Sequence, residues 1–203
     1  MPLWLSPWPL ILASKSAIRL ALLHAAGINA QAEPADIDER AVEAQSGVMD
    51  PSEVATLLAR EKARAVSAKK HESNLVLGAD QTLALGARRF TKTPDRKAAR
   101  MQLLQLRGKT HTLHSGIAVV AGGRVLFEHC EIARLTMRDF SEPFLDRYMS
   151  AAGDAVLTSV GGYQLEGPGI QLFEKIEGDH FTILGLPLFP LLHWFRASGW
   201  LAK

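Results

Sequence analysis

Cysteine is nearly absent: Cys130 is the only one in 203 residues. One thiol builds neither a disulfide framework nor a cysteine zinc cluster within one chain, and such usage suits a reducing compartment. Excess charge is also missing. Lysine and arginine number 23 against 21 aspartates and glutamates, a net of +2, which excludes a histone-like nucleic-acid binder. No apolar run approaches the roughly 20 residues that span a bilayer. The opening MPLWLSPWPL lacks a basic stretch and is interrupted by three prolines, unlike a signal peptide. A soluble, cytoplasmic protein with no membrane partner is expected. Several familiar motifs are missing too: no GxxxxGKS or GxxxxGKT, no GxGxxG after a strand, no HExxH and no GxSxG. Phosphates, if they are handled at all, are not handled by a P-loop.

What remains is an ordinary globular composition, 47% hydrophobic and 22% charged, in a chain without repeats or long linkers. Residues 1–203 are read as a single domain, or at most two small lobes sharing a core. A short apolar strand from Leu10 to Ala13 precedes Ser14-Lys15-Ser16 and a helix with Ile18, Ala21, Leu22 and Ala25 on one face. Asp50-Pro51-Ser52-Glu53 carries a helix start, with Asp as cap and Pro in the first turn. That helix runs to about Ala68, with Val54, Leu57, Leu58 and Ala65 inward. Leu75 to Gly78 reads as a buried strand stopping just before Asp80. A helix from Asp95 to Leu106 ends at Gly108. Thr110 to Val120 and Arg124 to Arg138 flank a hairpin turn at Gly122-Gly123. A helix follows near Ser141, then a glycine-rich loop from Gly161 to Gly169, a strand from Ile170 to Ile176, and a closing helix opened by Pro187. Alternation first and antiparallel strands later predict an α/β fold: a mixed, twisted sheet with flanking helices.

Charge is unevenly spread. Glu33 to Glu53 holds seven acids and one base, whereas Arg88 to Lys109 holds eight bases and one acid. Two solvated faces would explain this, and so would a cleft with a metal-binding acidic wall and a phosphate-binding basic wall. A nucleic-acid surface is disfavoured, because Phe90 is the only aromatic among those bases.

Three places carry the residue types that phosphate chemistry needs. Ser14-Lys15-Ser16 at a helix N-terminus, with Arg19 one turn on, suits an anion, although a plain cap accounts for the serines equally well. Asp36, Asp38 and Glu39 offer hard oxygens of the kind Mg²⁺ prefers; in extended chain Asp36 and Asp38 share a face and Glu39 opposes them. An exposed acidic loop is the plainer alternative. Asp80, at the end of an apolar strand and followed by Gln81-Thr82, stands where open α/β sheets place ligands. It would serve as metal ligand, water orienter or proton acceptor, unless it only caps a turn. His111 and His114 point to opposite faces of one strand, so they make no two-histidine metal site, and Cys130 reads as a small core residue.

In order, these pieces resemble the Maf family, itself similar in fold to the inosine-triphosphatase-like pyrophosphatases, with two lobes around a central cleft. The matching pieces begin with Leu12-Ala13-Ser14-Lys15-Ser16 with Arg19, Asp38-Glu39, Arg60-Glu61-Lys62-Ala63 and Gly78-Ala79-Asp80. They continue through Leu106-Arg107-Gly108-Lys109-Thr110-His111, Gly161-Gly162-Tyr163, Glu166-Gly167, Glu177-Gly178 and Leu184-Gly185-Leu186-Pro187-Leu188. The resemblance implies a homodimeric enzyme, dependent on Mg²⁺ or Mn²⁺, that cuts nucleoside triphosphates between the α and β phosphates. It implies Asp80 as proton acceptor and metal contact, Glu39 as a second metal ligand, and Ser14, Arg19, Lys62 and Lys92 as triphosphate holders. Ile18, Gln81 and Glu166 stand where the dTTP/UTP branch has Arg, Thr and Gln, and resemble the branch that prefers 7-methyl-GTP. A buried carboxylate at Glu166 would accept from the guanine edge and match uracil poorly. The alternatives are a dTTP/UTP pyrophosphatase of the same family and a non-catalytic nucleotide-binding regulator of cell division.

Overall fold

A computed structural model describes residues 1–203. The chain folds as two compact units, one of residues 1–81, 115–131 and 179–203, the other of residues 82–114 and 132–178. The strands are β1 (Leu10–Leu12), β2 (Ala30–Ala32), β3 (Val76–Leu85), β4 (Arg88–Phe90), β5 (Thr110–Ala121), β6 (Arg124–Met137) and β7 (Phe173–Glu177). The helices are α1 (Ala17–Ala25), α2 (Glu39–Ser46), α3 (Pro51–Ser67), α4 (Arg96–Leu106), α5 (Glu142–Ala152), α6 (His180–Ile183) and α7 (Leu188–Ala197). They bear out the mixed α/β prediction. The seven-stranded sheet runs β2-β1-β3-β5-β6-β7, with β4 paired to β3. β1 is parallel to β2 and β3, and the β3–β4 and β6–β7 pairs are antiparallel. No helix is long and apolar enough to cross a membrane.

In the first unit the side chains of β1 alternate between two clusters. Leu10 and Leu12 join Leu23, Leu191 and Phe195 of α1 and α7, while Ile11 and Ala13 join Ala63 and Val66 of α3. Both faces of this strand are therefore buried, which is why it reads as a continuous apolar run. The chain ends are tied down: Trp4 bridges to Leu201 and packs edge-on against Phe195.

Glycines let α3 lie close on the sheet. A Cβ added at Gly78 would sit 1.8 Å from the Ala59 carbonyl oxygen, and one at Gly116 would sit 2.4 Å from the carbonyl carbon of Ala55. Helix and strand thus touch backbone to backbone.

In the second unit α4 and α5 pack together and their charges pair across the contact. Arg100 reaches Glu142 at 2.8 Å and Asp146 at 3.0 Å, and Arg107 lies 3.5 Å from Asp139. Part of the basic stretch from Arg88 to Lys109 is thus paired with acids of the following segment, Arg96 with Asp154 at 3.7 Å included. His111 is buried among Tyr163 and Phe173, with Nε2 2.7 Å from the Tyr163 hydroxyl and Nδ1 without a partner. Burial drops its pKa from 6.5 to about 4. The folded state therefore resists a proton that the unfolded state takes up, so stability is complete above pH 6.5 and is lost as pH falls toward 4. The loss expected at pH 4 is about 3 kcal/mol. Urea titrations at pH 7 and pH 4 measure it as the excess loss of the wild type over His111→Gln.

Some expectations about the elements are corrected. The α1 face that enters the core centres on Leu23, with Ala21 and Ala25 exposed. Apolar residues surround most of that helix, so periodicity alone does not choose a face. Strand β3 does not stop before Asp80 but runs on to Leu85, because Thr82-Leu83-Ala84 resumes the buried run. Asp36 to Glu39 is not an alternating strand: Asp38 caps α2, accepting from the Ala41 N–H at 3.0 Å, and Glu39 begins that helix. Ile170 lies in a 3₁₀ turn, Pro168–Leu172, and the strand starts only at Phe173. Cys130 is half-buried rather than core, and burial pushes its thiol pKa up, away from reactivity.

Candidate active site

Within the first unit α3, β3 and α2 bring three charged side chains to one point. The close approach at Gly78 sets α3 against β3, so Lys62, three residues beyond Ala59, meets Asp80, two residues beyond Gly78. Lys62 Nζ donates to Asp80 Oδ1 at 2.6 Å and lies 2.7 Å from Glu39 Oε1. The Lys62 and Asp80 side chains are each only 13% exposed, while Glu39 is 49% exposed. Burial raises the Asp80 carboxyl above its ordinary range, and Lys62 and Arg19 pull it partly back. A carboxylate held in this way is a stronger proton acceptor than one in water.

Beside it, the strand β1 delivers Ser14 to the start of α1. Ser16 caps the helix through the Arg19 N–H, so the cap reading of Ser16 holds. Ser14 Oγ does a different job: it accepts from Ser16 N at 3.2 Å and from Arg19 Nη1 at 3.1 Å, which leaves its own proton to donate. Arg19 is less free than the resemblance implies. Its Nη1 also donates to the Ala79 carbonyl at 2.8 Å and its Nε to the Gly185 carbonyl at 2.8 Å. Burial lowers its pKa, an effect that Asp80 and Glu39 oppose. The guanidinium therefore fastens α1, β3 and the turn after α6 together, with Nη2 left for an anion.

Two carboxylates converging on one cation are hard oxygen donors of the right kind for Mg²⁺ or Mn²⁺. No group of three or more metal-ligating side chains accompanies them. The set fits a cation that brings its remaining ligands as phosphate oxygens and water.

The other nominated residues lie elsewhere. Ile18 is half-buried in the first turn of α1. Gln81 follows Asp80, and its Nε2 lies 2.9 Å from Ser115 Oγ, 3.1 Å from the Thr182 carbonyl and 3.0 Å from that of Ile183. Lys92 and Glu166 belong to the second unit, and both are exposed. The buried carboxylate expected at Glu166 is thus corrected: the turn at Gln164–Gly167 holds it outward in water. Sequence reading missed Ser115 and Thr182, both fully buried. A serine within a strand and a threonine in a four-residue helix send no local signal of partners 34 and 101 residues away.

A model of the family described as Maf-like protein matches residues 9–198. A protein of Rhodopseudomonas palustris (strain HaA2) named nucleoside triphosphate pyrophosphatase is 55% identical over 202 residues, covering 100% of each chain. One of Brucella abortus biovar 1 named 7-methyl-GTP pyrophosphatase is 54% identical over 190 residues, covering 92% of this chain and 94% of that one. A solved HAM1 protein from Coxiella burnetii aligns at 15% identity and a TM-score of 0.43, over 65% of this chain and 74% of that one. The chain belongs to the Maf family.

Proposed function

We propose that this chain is a hydrolase that cuts 7-methyl-GTP between its α and β phosphates, releasing 7-methyl-GMP and pyrophosphate. The coarser activity, nucleoside triphosphate pyrophosphatase, is the one carried by the name of the full-length relative from Rhodopseudomonas palustris. The observation that carries the reading is the Lys62 ammonium set between Asp80 and Glu39 at 2.6 and 2.7 Å, beside a helix N-terminus with Ser14 and Arg19. In-line displacement at phosphorus needs positioning, countercharge and a proton acceptor, and little covalent chemistry.

Each group has a role in that scheme. The Ser14 hydroxyl, the first-turn N–H groups of α1 and Arg19 Nη2 bind phosphate oxygens. Lys62 supplies positive charge beside the leaving pyrophosphate and keeps Asp80 ionised. Asp80 takes the proton of the attacking water, whose oxygen bonds to phosphorus as the phosphoanhydride breaks. Lys92 joins the triphosphate holders in this proposal. A divalent cation, held by Asp80 and Glu39, would offset charge on the phosphate oxygens. A homodimer is part of the same proposal.

The base preference rests on Ile18, Gln81 and Glu166 and on the relative named 7-methyl-GTP pyrophosphatase. Exposed Glu166 competes with water for the guanine edge, so its share of the selectivity is modest. Glu166→Gln is expected to change the ratio of kcat/KM for 7-methyl-GTP over UTP by less than about tenfold.

The test is pyrophosphate release from 7-methyl-GTP, GTP, UTP, dTTP and CTP with Mg²⁺ or Mn²⁺. Preference for 7-methyl-GTP is expected. Preference for UTP or dTTP would keep the enzyme class and overturn the base assignment. Binding without release would favour the regulator instead.

A further inference from the structure

Resting on this reading, we infer that Ser115 is a positioning residue for Asp80 and that it acts through the Gln81 amide. Successive residues of a strand point to opposite faces. Asp80 faces Lys62 of α3, and Gln81 faces α6. The amide orientation follows from its partners. The Thr182 and Ile183 carbonyls have no proton to give, so nitrogen, not oxygen, faces them at 3.1 and 3.0 Å. Ser115 completes the arrangement. Its hydroxyl donates to the Thr182 carbonyl at 2.7 Å and keeps a lone pair for Gln81 Nε2 at 2.9 Å. This hydroxyl is shielded from bulk solvent, since Ser115 and Thr182 are both 0% exposed.

The α6 turn that receives Gln81 is itself held from the other side. Asp179 caps it at the Thr182 N–H, 2.9 Å away. The Gly185 carbonyl just after it accepts from Arg19 Nε at 2.8 Å, and Arg19 Nη1 returns to the carbonyl of Ala79, the residue before Asp80. Asp80 is thus flanked along β3 by two anchors, Ala79 on Arg19 and Gln81 on α6, and both lead to the same turn. Gly185 is tightly enclosed there: its φ is +88°, and an added Cβ would lie 2.9 Å from Arg19 Nη2. Removing the Ser115 hydroxyl takes one of three acceptors from the two Gln81 amide hydrogens and one donor from the Thr182 carbonyl. The Gln81 anchor on α6, left with the Thr182 and Ile183 carbonyls alone, is then loosened, and small misplacements of a reacting group are costly in rate.

The test is a double-mutant cycle on kcat and KM for 7-methyl-GTP. Ser115→Ala is expected to lower kcat about tenfold with KM within about twofold, and Gln81→Ala at least as much. The double variant is expected to be no slower than Gln81→Ala, because the serine acts through the amide. Ser115→Cys, near-isosteric with a weaker donor and acceptor, is expected to fall between serine and alanine, and it carries the test if the alanine variant folds poorly. Independent, multiplying losses in the double variant would overturn the inference, as would wild-type kcat in Ser115→Ala or Ser115→Cys. A second readout needs no turnover: the ¹³C carboxyl resonance of Asp80, assigned by its absence in Asp80→Asn. It is expected to move in Ser115→Ala but not when the same change is made on Gln81→Ala; a resonance unmoved by Ser115→Ala would overturn the inference. If the wild type released no pyrophosphate from any triphosphate, the functional reading would fall and this spectrum would decide the positioning role alone.

Discussion

Asp80→Asn is expected to lower kcat for pyrophosphate release by about 10³-fold, with KM changed less than about threefold. General base catalysis is worth about 10² to 10⁴ in rate, and asparagine keeps the size of the side chain while losing its ability to take a proton. The stability of this variant has the opposite sign. Because burial raises the Asp80 carboxyl in the folded state, ionisation costs folding stability as pH rises through the unfolded pKa toward the folded one. At neutral pH a neutral amide avoids that cost, and Lys62 retains Glu39 at 2.7 Å. Its melting temperature is expected to be no lower than that of the wild type. Kinetics and thermal melts on the same preparation check both halves. A variant with normal turnover would remove Asp80 from the mechanism, and a variant that is inactive because it is unfolded would remove the stability argument.

Gly78→Ala is the second change with a large expected effect, and it acts through packing. The added Cβ would lie 1.8 Å from the Ala59 carbonyl oxygen and 3.0 Å from Ala63 N. Both are backbone atoms of α3 and cannot turn aside as a side chain would, so helix and strand must separate. A loss of at least about 3 kcal/mol is expected, which in a chain of this size lowers Tm by about 6–12 °C. Lys62 sits less than one turn beyond Ala59, so the same separation lengthens its 2.6 Å contact with Asp80. Pyrophosphate release is therefore expected to fall even at temperatures where the variant remains folded. Circular dichroism melts and rates measured well below Tm separate the two losses.

Local chemistry made some elements legible and left others hidden. Asp50 does cap α3, accepting from the Ser52 and Glu53 N–H groups, with Pro51 in its first turn. Asp95 and Ser141 start α4 and α5 in the same way, and Gly122-Gly123 does turn between β5 and β6. These are signals carried within four or five residues. The three-residue strands β2 and β4 carry no comparable pattern, and α6 is too short to show a period. Asp38 shows how a site reading can miss a structural one: a carboxylate in an acidic stretch suggests a metal, yet this one is spent on the Ala41 N–H of α2. The candidate site was open to the sequence as a set of residue types, since Ser14, Arg19, Glu39, Lys62 and Asp80 all stand within the motifs of the resemblance. Two things were not readable. Arg19 gives its Nε and an Nη1 donor to backbone carbonyls rather than to an anion, and Gln81 reaches Ser115 and α6. Both depend on contacts between segments far apart in the chain, which no window of sequence reveals.

The account stands most directly on what becomes of the triphosphate. Phosphorus NMR of 7-methyl-GTP incubated with the wild-type protein and Mg²⁺ identifies the products. Equal amounts of 7-methyl-GMP and pyrophosphate, with no orthophosphate, are expected from attack by a water whose proton passes to Asp80. Orthophosphate with 7-methyl-GDP, or a triphosphate that binds and persists unchanged, would contradict it.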